Sequence, residues 1–400
     1  MSEPVLSPKI PPTVWALGLV SLCMDLSSEM VHSLLPVFLV SSLGASMLSV
    51  GLIEGVAEAT ALIVKVFSGA ISDFIGRRKG LILLGYGMAA LTKPFFPLAN
   101  SVETVFTARF LDRVGKGIRG APRDALIADV APPAIRGACY GLRQSLDTIG
   151  AFLGPAIAIL LMLALDDIKQ VLWFAVVPAF VAVLFIVIGV QEPEQAKTAA
   201  QQFESPIRLN SIKHFPAAYW WVVVIGMVFM LARFSEAFLV LRAQEVGLSA
   251  TWIPLVMVVM SLFYTLSAYP VGILSDRISR STFLALGLVL LIFADITLAV
   301  TQSIGGILFG VALWGLHMGF SQGTLSTLIA DTTPLHLKGT AFGIFSLASG
   351  IFMLLASLLA GWLWQSYGSA ATFTCGGLFS IAALLLLGVQ KWRMSLVIKN

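Results

Sequence analysis

Apolar residues in this chain do not alternate with polar ones; they run. Stretches near residues 14–40, 47–72, 80–98, 102–127, 138–163 and 170–190 are apolar over lengths that exceed a buried strand, and a second set follows near 217–241, 251–274, 282–300, 304–330, 338–364 and 369–390. Crossing the hydrocarbon of a bilayer takes ~20 mostly apolar residues as a helix. In lipid a backbone must satisfy its own hydrogen bonds, which a helix does within one segment. The pattern therefore predicts an all-α integral membrane protein with twelve transmembrane helices. The one long polar stretch, 191–216, carries Glu192, Glu194, Lys197, Glu204, Arg208 and Lys213. It divides the chain into a six-helix bundle at 1–190, a linker at 191–216 and a second six-helix bundle at 217–400.

Composition removes the alternatives. Of 400 residues 58% are hydrophobic and 12% charged, and the mean hydropathy is +0.93. An ordinary soluble domain is roughly 45–50% apolar, so this chain has too little polar surface to cover a globule and no room for a soluble catalytic domain. Cys23, Cys139 and Cys375 lie far apart without metal-ligand spacing, and no metal or cofactor is expected. Residues 1–12 are polar and proline-rich and lead straight into the first span, which is not the build of a cleavable signal. There is no H-E-x-x-H, no G-x-S-x-G with a partner histidine and no G-x-x-x-x-G-K-[ST] loop, so neither an intramembrane enzyme nor an ATP-driven pump is expected.

Charge placement adds orientation. With the N-terminus inside, fourteen Lys and Arg fall in cytoplasmic segments, whereas the outer loops hold Lys169 and Arg242. Positive charge marks the cytoplasmic side, so both termini are expected there. The halves also repeat each other. Leu126-Ile127-Ala128-Asp129 returns as Leu328-Ile329-Ala330-Asp331, an offset of 202; Gly137 and Gly141 match Gly339 and Gly343 at that offset, and Gly69-x-x-x-Asp73 returns as Gly272-x-x-x-Asp276. Tandem six-span repeats place a substrate site at their interface near the bilayer midplane.

Three segments carry a resemblance to a known family. Gly69-Ala70-Ile71-Ser72-Asp73-Phe74-Ile75-Gly76-Arg77-Arg78 resembles the signature of the major facilitator superfamily between spans 2 and 3, with a degenerate copy at Gly272–Arg280 in which serine replaces the second glycine. Arg109-Phe110-Leu111 resembles the start of the proton-antiporter signature of span 4, with Asp112 and Arg113 in place of Gln-Gly. Gly150-x-x-x-Gly154-Pro155 resembles the span 5 antiporter motif, though Ala158-Ile159 stand where a glycine pair is expected. The resemblance implies the twelve-helix major facilitator fold, with spans 1, 4, 7 and 10 lining a central cavity. It implies a charge latch formed by Gly69, Asp73, Gly76, Arg77 and Asp129, and in the second copy by Gly272 and Asp276. Glycine at such places lets helices approach closely. Arg78 and Lys79 read as solvated, topology-setting charges.

Ionisable groups at membrane depth cost several kcal/mol and mark pathways or partner pairs. The first half holds most of them: Asp25 and Glu29 in span 1, Glu54, Glu58 and Lys65 in span 2, Lys93 in span 3, a stripe from Arg109 to Arg123 with Asp112 and Asp124 in span 4, and Arg143 and Asp147 in span 5. The second half has Arg233, Glu236, Asp295 and His317. Two arrangements fit Arg109 and Arg113: they clamp an anionic group of the substrate, as guanidinium does, or they pair with Asp25, Glu29, Asp112 or Glu58. Substrate-contact candidates are accordingly Arg109, Asp112, Arg113, Arg233 and His317. For proton coupling a carboxylate must change charge as its exposure changes; Asp25 and Glu29 fit first, then Glu58, then Glu236, whose Ser235-Glu236 repeats Ser28-Glu29. Phe229, Phe234 and Trp314 are candidates to line the cavity.

The expected function is proton-coupled secondary transport of a small organic solute by alternating access, as an antiporter or exporter, with the proton gradient as energy source. The alternative is uptake of an anionic metabolite or of a carboxylate-rich, siderophore-like metal chelate. The resemblance implies a multi-pass monomer in the bacterial inner membrane, partnered by its solute and the lipid bilayer and not by nucleic acid.

Overall fold

The computed structural model describes residues 9–193, 209–274, 278–334 and 337–399. Of the sequence candidates, Asp276 and the linker charges Glu194, Lys197, Glu204 and Arg208 lie outside the described residues. Every regular element among those described is helical. Eleven helices are long and apolar enough to cross a membrane. They are span 1 (Pro12–Ser42), span 2 (Met47–Ile75), span 3 (Lys79–Leu98), span 5 (Pro133–Leu165), span 6 (Ile168–Gly189), span 7 (Ala217–Glu245), span 8 (Leu255–Leu274), span 9 (Arg280–Val300), span 10 (Ile304–Asp331), span 11 (Lys338–Tyr367) and span 12 (Ser369–Lys391). Span 4, Val102–Val130, has the same length of 29 residues as span 2. It is too charged to qualify by hydropathy and is covered by its neighbours instead.

Local chemistry sets the ends. Span 1 begins on a proline at its first position, where a missing amide costs nothing, and Pro36 near its end is followed by a π-helical turn, Phe38–Ser42. Ser46 and Ser101 cap spans 2 and 4 by accepting from the amides of Ser49 at 3.1 Å and Thr104 at 3.3 Å. Span 2 stops at Gly76, whose φ of 66° needs a residue without Cβ. Span 7, expected to be continuous, is broken: the helix ends at Ala232 and resumes at Ala237. The freed backbone is held from outside, since the Ser235 amide donates to Ser357 Oγ of span 11 at 3.2 Å. Irregular backbone at membrane depth persists only where protein or a cavity satisfies it.

The start of span 1, the turn at 76–78 and the ends of spans 4 and 6 share one face, called here the terminal face: Thr13 donates to the Gln191 carbonyl, Glu192 accepts from the Arg78 amide and Arg78 meets Asp129. Toward the opposite face the bundles are joined. A Cβ on Gly51 of span 2 would collide with the Ser357 carbonyl of span 11, and one on Gly361 with the Met47 carbonyl. Gln244 donates to Ser41 Oγ at 2.7 Å, and the Leu48 amide donates to Gln365 Oε1 at 3.4 Å. One apolar cluster there takes in both bundles, from Met30–Leu39 of span 1 to Phe238 and Trp364. A second apolar cluster, including Val14, Leu17, Ile127 and Ile186, is built from the first bundle alone. The bundles are thus closed against each other at the face where, among the described residues, the side-chain hydrogen bonds between them lie. Arg242, counted from sequence as an outer-loop charge, is buried and caps the end of span 9 by donating to the carbonyls of Leu298 (3.0 Å) and Thr301 (2.7 Å).

Candidate functional site

Span 4 threads its charges between spans 1, 2, 3 and 5 of the first bundle. Nearest the closed face, Arg109 Nη2 meets Glu54 Oε2 at 2.7 Å with both side chains 1% exposed. His32 lies 3.9 Å from the same carboxylate and 3.3 Å from Glu29. One turn deeper, Lys93 donates to Asp112 at 2.9 Å and to Ser28 Oγ at 3.1 Å, while Arg113 meets Glu58 at 3.3 Å and Asp112 at 3.9 Å. A buried charge left alone would be strongly destabilising, and breaking a buried pair costs about 3–5 kcal/mol. These groups are a closed ionic core, so the pairing arrangement is the one the structure has. Arg109, Asp112 and Arg113, named as substrate-contact candidates, are buried in internal pairs and are not among the residues lining the cavity described next. Glu54 and Lys93 complete those pairs. The sequence signal for them was an acid and a base at membrane depth lacking a partner on their own helices.

Toward the terminal face the same helices open around a cavity of about 420 Å³, lined by Asp25 and Glu29 of span 1, Glu58, Ala61, Leu62 and Lys65 of span 2, Lys116, Arg119, Gly120 and Arg123 of span 4, and Asp147 and Ala151 of span 5. The walls are therefore spans 1, 2, 4 and 5, not the expected quartet. Asp25 of span 1 and Asp147 of span 5 line the same cavity, near enough for each to act on the other's charge. Asp147 is also held by Arg143 at 3.3 Å and lies 3.9 Å from Arg123. Arg119 stacks on Tyr86, 4.4 Å from its ring centroid. The span 5 motif serves packing: a Cβ on Gly150 would strike the Leu22 carbonyl, and one on Gly154 would lie 2.6 Å from the Leu26 carbonyl and 3.0 Å from Glu29 Cβ. Pro155 is buried beside them, so the acids of span 1 are brought against span 5.

The second bundle presents a smaller cavity of about 250 Å³ between spans 8 and 10, edged by Arg280. At the break in span 7, Arg233 lies 3.8 Å from Glu236. With the Gln322 amide turned to meet it, Arg233 donates to that oxygen at 2.7 Å, and Gln322 contacts Tyr264 at 3.2 Å. His317 is fully buried, and among the described residues neither ring nitrogen has a partner. It packs against Phe229 and Trp314, with ring centroids 6.0 and 5.4 Å away. Trp314 and Phe234 meet with tilted rings, 5.3 Å between centroids, and Phe234 also meets Phe238 and Phe373. Phe229, Phe234, Trp314 and His317, expected at a cavity wall, are core. Their neighbours are rings and aliphatic chains, so the aromatic stripe fills the bundle.

At the terminal face the latch differs by one residue from the sequence reading. Arg78, not Arg77, bridges Asp73 (2.8 Å) and Asp129 (2.6 Å), and it also donates to Ser72 Oγ at 3.0 Å. Glu192 accepts from the Arg78 amide. Arg77 is exposed. The reason is the turn: the helix ends at Ile75, so the one-turn spacing from Asp73 to Arg77 is not helical, and Gly76 swings the next side chain back. Partial burial works against the charge on Arg78, but its hydrogen bonds to Asp129 and Asp73 outweigh that and raise its pKa above the ordinary guanidinium value. In the second bundle Arg280 pairs with Asp331, each 202 positions on from Arg78 and Asp129. A Cβ on Gly69 would lie 3.3 Å from Cβ of Ala121 of span 4, tighter than an ordinary contact, so the two helices approach closely there. Gly272 ends the second bundle's smaller cavity. Among the described residues no group of three or more His, Cys, Asp or Glu is placed to hold a metal ion.

The profile of the Major Facilitator Superfamily matches residues 17–242 and again 222–395. The chain is 32% identical over 381 residues to an uncharacterized MFS-type transporter, MJ1317, of Methanocaldococcus jannaschii, covering 94% of each. It is 21% identical over 369 residues to the quinolone resistance protein NorA of Staphylococcus aureus, covering 90% of this chain and 92% of that one. The crystal structure of a nucleoside transporter, NupG, superposes with a TM-score of 0.79 over 94% of this chain and 99% of that one, at 12% identity. A repeated profile match over almost the whole chain and a full-length relative at that identity leave one conclusion: this multi-pass membrane protein belongs to the major facilitator superfamily and is a transporter of small molecules.

Proposed function

We propose that the protein is a proton-coupled secondary active carrier of a small organic solute, working as an antiporter by alternating access in a bacterial inner membrane with both termini cytoplasmic. The observation that carries this reading is that Asp25 of span 1 and Asp147 of span 5 stand together on the wall of the 420 Å³ cavity, near enough to act on each other's charge. Two neighbouring carboxyls share a proton when one is protonated and repel when neither is, so occupancy by a proton and the fit of span 1 on span 5 are linked. The groups facing the pair are Lys116, Arg119 and Arg123 of span 4, Arg143 of span 5 and Tyr264 of span 8. When the proton leaves, these cations draw on the carboxylates, which changes the packing of span 4 against spans 1 and 5. Glu29, held by His32, and Glu58, held by Arg113, are partners in that rearrangement. Glu236, beside Arg233 at the span 7 break, is the corresponding group of the second bundle.

The test is transport in proteoliposomes with an imposed pH gradient. Asp25→Asn and Asp147→Asn each abolish gradient-driven transport while solute exchange at equal pH persists. Full gradient-driven activity in both variants removes the pair as the coupling site. A second reading, proton-driven uptake of an anionic metabolite or chelate, is favoured by two cavity lysines without ion-pair partners. Its sign decides it: tracer accumulates in an alkaline lumen for uptake and in an acidic lumen for exchange with protons.

A further inference from the structure

Within the cavity of the first bundle the acids are engaged: Glu58 by Arg113, Glu29 by His32, Asp147 by Arg143, and Asp25 by Asp147. Of the bases, Arg123 is held by Asp124 and Arg119 lies on the Tyr86 ring, which leaves two. Lys65 and Lys116 both line the cavity and are exposed to it, and among the described residues neither has a carboxylate within 4.0 Å or a hydrogen-bond acceptor. Asp25, Glu29, Glu58 and Asp147 act on Lys116 only at longer range, and Asp124 likewise on Lys65. The two lysines also share one patch of wall. Gly120 lies one helical turn from Lys116, and a Cβ there would stand 3.5 Å from Cδ and Cε of Lys65. The Lys65 stem therefore lies along span 4 at Gly120, beside Lys116, with like charge repelling like.

We infer that Lys65 and Lys116 form the seat for an anionic group of the solute, a carboxylate or phosphate on a small hydrophilic molecule. An anion between the two ammonium groups converts a mutual repulsion into two charge-assisted contacts, and lysine offers a mobile point charge with three donors suited to a cargo that must leave again. The arginines of span 4 are otherwise engaged: Arg109 and Arg113 are in buried pairs, Arg119 lies on the Tyr86 ring, and Arg123 is held by Asp124, Ser21 and Tyr86. The rest of the lining agrees with a hydrophilic ligand. Apart from the charges it consists of Ala61, Leu62, Gly120 and Ala151, with no aromatic face for a lipophilic cation, and its volume falls in the range of roughly 300–1,000 Å³ found for small-molecule sites. This assignment rests on the reading of the cavity as the transport site, and it names the class of cargo.

The experiment is ligand-dependent thermal unfolding of the purified full chain at fixed ionic strength, with acetate, succinate, citrate and inorganic phosphate as anionic probes and tetraphenylphosphonium and sucrose as the others. At least one anion raises the unfolding temperature saturably. Lys65→Gln and Lys116→Gln each weaken its apparent Kd about tenfold or more, Lys65→Arg and Lys116→Arg recover part of the loss, and Lys169→Gln at the opposite face changes nothing. A measurement without ligand guards against misfolding: a cysteine at Ala61, in a chain whose own three cysteines are replaced, reacts faster with an anionic than a cationic methanethiosulfonate, and Lys116→Gln reverses that preference. The inference is overturned if no anion stabilises, if only tetraphenylphosphonium does, or if the glutamine variants bind as the wild type does. Counterflow separates this from the transport reading. Unchanged half-saturation in the lysine variants overturns the seat and leaves the carrier. Binding that depends on the lysines without counterflow in the wild type overturns the carrier role of the cavity and leaves the seat.

Discussion

Arg78 meets Asp129 at the rim of the first bundle, and 202 residues later Arg280 meets Asp331 at the rim of the second. Between rim and opposite face the correspondence ends. Span 4 carries Arg109, Asp112, Arg113, Lys116, Arg119 and Arg123; the same offset on span 10 gives Val311, Trp314, Gly315, Met318, Ser321 and Leu325. Gly115, where span 4 crosses Gly85 of span 3 so closely that a Cβ would strike its carbonyl at 2.5 Å, corresponds to His317, whose carbonyl lies 3.5 Å from the Cβ position of Gly287. The repeat has kept its rim and let its interiors diverge. One bundle is held by paired charges and the other by rings and aliphatic chains. Ion pairs are directional and depend on helix rotation, whereas apolar packing tolerates small shifts. The first bundle is thus the half in which a change of charge is felt as a change of packing.

The largest effect that tests this contrast is in the closed ionic core. Arg109→Met strands the Glu54 carboxylate and lowers stability by about 3–5 kcal/mol, measured by chemical or thermal unfolding in detergent; Glu54→Leu together with Arg109→Met regains most of it. A single-variant loss under about 1 kcal/mol would show that water reaches the pair and dissolve the contrast. Next comes the apolar interior of the second bundle. An unsatisfied buried polar group costs about 1–3 kcal/mol, so His317→Leu is neutral or stabilises by about 1 kcal/mol. A clear loss of stability would give His317 a polar partner and a role beyond packing. The smallest effects lie at the rim, where exposed ion pairs contribute about 0–1 kcal/mol. Arg78→Ala and Arg280→Ala each shift the balance of the two access states by up to about fivefold, read as the distance distribution between spin labels at the terminal face. Arg77→Ala leaves it unchanged, and equal effects at 77 and 78 would put the latch back on both arginines.

How much of this was legible in the chain follows from what each signal depends on. Hydropathy runs reflect one helix and its solvent, and they placed every span to within a few residues, including the charged span 4. The list of intramembrane charges was legible for the same reason. The pairing was not. Arg109 sits on one helix and Glu54 on another, and which face of span 4 meets span 2 is decided by the packing of span 4 on span 3 and of span 2 on span 11. The step from Arg77 to Arg78 turns on a single left-handed glycine that ends the helix. Span 7 reads as continuous because no proline marks its break; the amide of Ser235 finds its acceptor on span 11, 122 residues away. Aromatic residues at helical spacing read alike whether they line a cavity or fill a core, and here they fill it. Lys65 and Lys116 were visible as charges, but their lack of a counter-ion is a property of the assembled bundle.

The internal pairing of the first bundle has an electrical consequence. Displacing one elementary charge through the full membrane field takes about 2.3 kcal/mol per 100 mV, so a bundle that rocked with the six charges of three such pairs uncompensated would have its motion dictated by voltage. Arg109 with Glu54, Lys93 with Asp112 and Arg113 with Glu58 travel as neutral units. Rocking of that bundle is then nearly silent to the membrane potential, and the current that accompanies a cycle is set by what occupies the cavity.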